Sequence, residues 1–70
     1  MKIGTSNKLK GTVVFVYEGA VNGTVGVELK SGDVITANLT MGSIEELGLT
    51  VGKEAYCFVK EADVIVGVDD

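Results

Sequence analysis

The residues best suited to chemistry stand together near the start of the chain: Thr5-Ser6-Asn7-Lys8-Leu9-Lys10-Gly11, leading straight into the apolar run Val13-Val14-Phe15-Val16-Tyr17. Two hydroxyls, an amide and two ammonium groups at the mouth of a buried strand are compact donors of the kind that hold small anions. The same residues also suit an Asx or Ser turn that starts the strand, so composition alone leaves both uses open. Other reactive chemistry is poorly supplied. Cys57 is the single cysteine and the chain has no histidine, so a catalytic thiol lacks its base and a Cys/His zinc site lacks its ligands. Cys57 is read as a small core residue. Glu45 and Glu46 are adjacent on one helical turn and diverge, which rules out paired-carboxylate hydrolysis. No enzymatic activity is expected.

The elements that must carry these donors belong to a small β domain. Seventy residues form one domain, 1–70, that buries only about 60% of the surface its unfolded chain exposes. A monomer of this size is marginal, and without disulfides or zinc the common remaining support is self-association. The apolar residues are mainly valine, leucine, isoleucine and alanine, with no proline, which suits sheet packing. No apolar run nears the roughly 20 residues of a membrane span, and the N-terminus lacks a signal-peptide core. A cytoplasmic location follows, and an unpaired cysteine agrees with it. Ten acidic residues against six lysines, a net charge of −4, disfavour nucleic acid.

Residues 9–17 read as a long strand that is apolar on both pleat faces: Val13, Phe15 and Tyr17 on one, Val14 and Val16 on the other. The second face is expected to meet another subunit. Asn22-Gly23 marks a hairpin turn. Residues 24–29 alternate, with Val25, Val27 and Leu29 on one face and Gly26 leaving room for a close approach or a bulge. Lys30-Ser31-Gly32-Asp33 forms the next turn. Residues 34–40 return with Ile35, Ala37 and Leu39 inward. Ser43 reads as the N-cap of a single helical turn, with Glu46 as its capping-box partner and Gly48 as its end. A fourth strand over 53–59 puts Ala55, Cys57 and Val59 on one face, and a fifth covers 64–68. Five strands with a helical turn between the third and fourth predict an all-β, OB-like Greek-key barrel; an SH3-like barrel is the alternative.

The set Asn7-Lys8-Leu9-Lys10-Gly11, Gly19 with Val21, Ser43-Ile44-Glu45-Glu46-Leu47-Gly48, and Val59-Lys60 with Asp63-Val64 resembles the molbindins, Mop-type proteins built from a TOBE-like oxyanion-binding domain. The resemblance covers nearly the whole chain. It implies an OB-like fold and a homohexamer, a trimer of dimers, binding molybdate or tungstate at subunit interfaces. Metal is then bound only as oxyanion, with no organic cofactor, in storage or buffering for molybdenum or tungsten cofactor supply. Carried onto matching positions, the oxyanion site takes Thr5, Ser6, Asn7, Thr40, Ser43, Lys60 and the adjoining Glu61, with the hydroxyls near the helical turn coming from a neighbouring subunit. The family commonly has arginine where this chain has Ser6, and a small residue where it has Glu61. The first change removes a bidentate, always-charged donor and the second brings a carboxylate beside a dianion.

A tetrahedral dianion needs several convergent donors and no acceptors; hydroxyls, backbone amides and the Lys60 ammonium meet that need, and an acceptor-poor lining disfavours protonated phosphate. Each residue has a plainer use. Lys60 serves equally as edge-strand protection, Ser43 as a cap, and Thr40 as an outward strand residue. Val21, Asn22 and Gly23 supply amides for a second oxyanion site or form an ordinary turn. Two other functions compete. One is a structural or regulatory interaction module without ligand. The other is an OB-type single-strand nucleic-acid binder, which needs exposed aromatics in a basic groove, whereas Phe15, Tyr17, Tyr56 and Phe58 sit in apolar strands of an acidic chain.

Overall fold

The computed structural model describes residues 7–69. Thr5 and Ser6 lie outside the described residues. Four antiparallel strands, β1 (Asn7–Tyr17), β2 (Asn22–Leu29), β3 (Val34–Thr40) and β4 (Glu54–Val59), form one sheet in the order β3-β2-β1-β4. The sheet curls into an open half-barrel with a short helix, α1 (Met41–Leu47), between β3 and β4. The OB-like all-β class and the place of the helix are as expected. The strand count differs: after a 3-10 turn, η1 (Glu61–Asp63), residues 64–68 join no sheet among the described residues. Their sequence has strand character, but extended backbone becomes a strand only beside a partner, and their apolar side chains stand in solvent: Ile65 is 95% exposed and Val66 85%.

The core is small. Val13, Val25, Val27 and Ile44 are buried, with Val16, Leu39, Leu49, Ala55 and Cys57 packed partly around them. Ile44 reaches the sheet because Gly23 has no side chain: a Cβ there would sit 2.7 Å from the Ile44 Cδ1. Asn22-Gly23 therefore does not make the hairpin turn. It opens β2, and positive φ is found instead at Gly32, Gly48 and Gly52.

The face assignment in β1 also changes. Val13 pairs with Val27 but Phe15 pairs with Gly26, so Val14 is an inserted bulge residue and the alternation slips by one. Val13 and Val16 both face the core, while Phe15 and Tyr17 stack on the outer face with centroids 4.8 Å apart. The Phe15 ring lies against Gly26, where any Cβ would overlap it. The inward rows Val25 and Val27 of β2, Ile35, Ala37 and Leu39 of β3, and Ala55, Cys57 and Val59 of β4 follow the simple alternation.

Candidate functional site

Thr40 is the last residue of β3 and the N-cap of α1. Its backbone is extended, its Oγ1 accepts from the Ser43 N–H at 3.1 Å, and it donates to the Ser43 Oγ at 2.9 Å. Ser43, expected as the cap, is instead the third helical residue: a cap must keep non-helical backbone, and the chain enters the helix at Met41. Glu46 is consequently one turn too late for a capping box. Gly48 does end the helix, at φ 63°, and the Lys53 ammonium covers the Leu47 carbonyl at 2.7 Å. Two hydroxyls carry two protons and their mutual contact uses one, so the pair keeps one proton for a further acceptor.

Val21, Asn22 and Gly23 adjoin this hydroxyl pair. Asn22 pairs with Thr40 across β2 and β3, the Met41 N–H donates to the Val21 carbonyl at 2.8 Å, and the Asn22 amide donates to Asn38 at 3.2 Å. The residues expected to form two separate oxyanion sites thus share one end of the sheet here. Gly23 has a packing role under Ile44.

Asn7 and Lys60 stand at the other end. Asn7 opens β1 opposite Val59, and Lys60 follows in extended conformation as the residue before η1, exposed to solvent beside Glu61. The β1–β4 ladder therefore brings Asn7 near the late lysine, from which it is far apart in sequence. The two donor groups are not brought together within one chain. Thr24 pairs with Tyr17 at the far end of β1, and Asn22 and Thr40 lie beyond it. The eleven residues of β1 at about 3.3 Å each separate the Thr40/Ser43 pair from Asn7 and Lys60 by roughly 30 Å along the strand.

Between these ends, Lys10 pairs with Glu54 at 3.3 Å on the outer face, and the Lys8 ammonium lies 5.0 Å from the centre of the Tyr56 ring. On the concave side an open apolar groove of about 370 Å³ is lined by Val25, Ile35, Leu39, Leu49, Cys57 and Val59 among others. Burial pushes the Cys57 thiol above its ordinary value, which makes it a poorer nucleophile. No group of three or more metal-ligating side chains occurs among the described residues, and no helix there is long and apolar enough to cross a membrane. The capping role of Thr40 was missed in the sequence, although Thr40 preceding Met41 with Ser43 three residues on is the signal that would have found it.

The TOBE domain family matches residues 4–66. A probable molybdenum-pterin-binding protein of Haemophilus influenzae is 42% identical over 69 residues, 99% of this chain and 100% of its own. The chain is a Mop-type molbindin. Its fold matches MopII from Clostridium pasteurianum with a TM-score of 0.89 at 37% identity, covering 96% of this molbindin and 100% of that chain. It matches ModG, a cytoplasmic molybdate-binding protein solved with molybdate bound, with a TM-score of 0.93 at 38% identity; there it covers 99% of its own length and 49% of the other chain.

Proposed function

We propose that this molbindin is a non-enzymatic, cytoplasmic binder of molybdate or tungstate, holding the oxyanion between subunits of a homo-oligomer and buffering or storing it for molybdenum or tungsten cofactor supply. The assembly is a homohexamer, a trimer of dimers, and needs no organic cofactor. The observation that carries the reading is the split donor set: Asn7 and Lys60 at one end of β1, the Thr40/Ser43 hydroxyls beyond the other. Thr5 and Ser6 complete the first group in sequence. One copy cannot close both around an ion a few ångströms wide; the end of one copy against the opposite end of another can. A hydroxyl pair with one proton to spare, an amide and an ammonium group are the donors that replace water around a tetrahedral dianion.

Self-association has independent support. The half-barrel leaves an apolar groove open, and residues 64–68 present Ile65, Val66 and Val68 to water, the last at 87% exposure. Apolar surface of this kind in a domain of seventy residues calls for cover, and the Phe15–Tyr17 stack adds a second uncovered patch on the outer face. The relatives named above as molybdenum-pterin-binding or molybdate-binding point to the ligand class.

Native mass spectrometry of the protein with molybdate, tungstate and sulfate tests this. A hexamer retaining molybdate or tungstate but not sulfate is the expected result. A monomer, or an oligomer that retains none of the three, would overturn the reading.

A further inference from the structure

We propose that Lys8 brings a second positive charge to the bound oxyanion, joining Lys60 from the neighbouring strand; the inference rests on the reading of the Asn7 end given above. Strand register carries it. Lys8 lies opposite Phe58 in the β1–β4 ladder, and alternation along the extended backbone from Phe58 through Val59 returns Lys60 to the face that Lys8 occupies. The two lysines are diagonal cross-strand neighbours, a relation that sets backbones about 7–8 Å apart and within reach of long side chains. Both are exposed.

Lys8 leans the other way along β4, over the Tyr56 ring at 5.0 Å. An exposed ammonium–ring contact is weak, roughly a two- to fivefold bias in an equilibrium constant, so a dianion can draw Lys8 off the ring. Charge balance points the same way. A dianion held by Lys60 alone leaves the site negative, with Glu61 next in sequence and a net charge of −4 on the chain. Ser6 offers a hydroxyl but no charge. Lys10 shares the face of Lys8 but is already paired with Glu54 at 3.3 Å, which makes it the natural control.

Molybdate and perrhenate are tetrahedral oxyanions of similar size, the first doubly and the second singly charged. Calorimetric titration of both into the full-length protein separates charge from packing. Lys8→Gln should weaken molybdate about tenfold and perrhenate about threefold, as a single exposed charge a few ångströms from each ion predicts. It should also flatten the dependence of molybdate affinity on salt. Lys8→Arg should restore both affinities, and Lys10→Gln should leave both within about twofold. Wild-type affinities in Lys8→Gln, or an equal loss for the two anions, would overturn the role of Lys8 while wild-type molybdate uptake keeps the broader reading intact. Failure of the wild-type protein to take up molybdate or tungstate would remove the broader reading, and this one with it.

Discussion

Thr40 shows how much one hydroxyl does here. It ends a strand, starts a helix and orients the Ser43 hydroxyl, all through two contacts of about 3 Å. Thr40→Ala should cost about 1 kcal/mol of stability, measured by urea denaturation, and should also weaken oxyanion uptake; Thr40→Ser should recover the stability. A variant with unchanged midpoint would remove the cap from the account. Cys57 tests burial at the same scale. Its thiol is held above its ordinary value by desolvation, so the folded state keeps a proton that the unfolded state gives up. Stability conferred by the neutral thiol is complete below the unfolded pKa and falls as pH rises through and above it. The alkaline decline in thermal midpoint should be shallower in Cys57→Ala than in wild type, and equal declines would show that the thiol makes no contribution.

Among the elements, β1 departs furthest from a simple reading. A strand apolar on both faces offers no alternation to follow, and the one-residue insertion at Val14 moves Phe15 and Tyr17 to the outer face. Gly26 was recognisable as a site of close approach or bulge, and it serves both, receiving the Phe15 ring opposite the irregularity. Gly26→Ala should therefore destabilise the domain by about 1–3 kcal/mol through overpacking, whereas Gly32→Ala should act only through its positive φ of 92°. Chemical denaturation of the two variants separates the causes; in Gly26→Ala, a Phe15→Ala background should remove most of the penalty. The strands with clean alternation, β2 from Thr24 onward and β3, are legible residue by residue. The helical turn is legible in the sequence, but its start reads three residues late, at Ser43 instead of Thr40, because the hydroxyl that caps it looks like an outward strand residue.

At the scale of the whole molecule, a buried core of four residues among those described and an open groove make an isolated copy a poor folding unit. Residues 64–68 carry their valines and isoleucine into solvent, so the proposed assembly gives them cover. Removing residues 64–70 should lower the assembled mass in light scattering, and with it oxyanion retention. An unchanged mass would show that the tail lies outside the contacts.

The sequence by itself determined the four strands of the sheet, the turn at Gly32 and the helix end at Gly48, the donor residues and the family, but not that residues 64–68 stay outside the sheet or that Asn22-Gly23 opens a strand. The features it did determine are local: periodicity, turn chemistry and motif spacing are written in neighbouring residues. Tertiary structure decided the rest, namely the phase of β1, the true helix cap, the diagonal meeting of Lys8 with Lys60 and the distance between the two donor groups. Each depends on which residue of one strand lies opposite which residue of another, and cross-strand register is fixed by packing between distant segments, which no local pattern encodes.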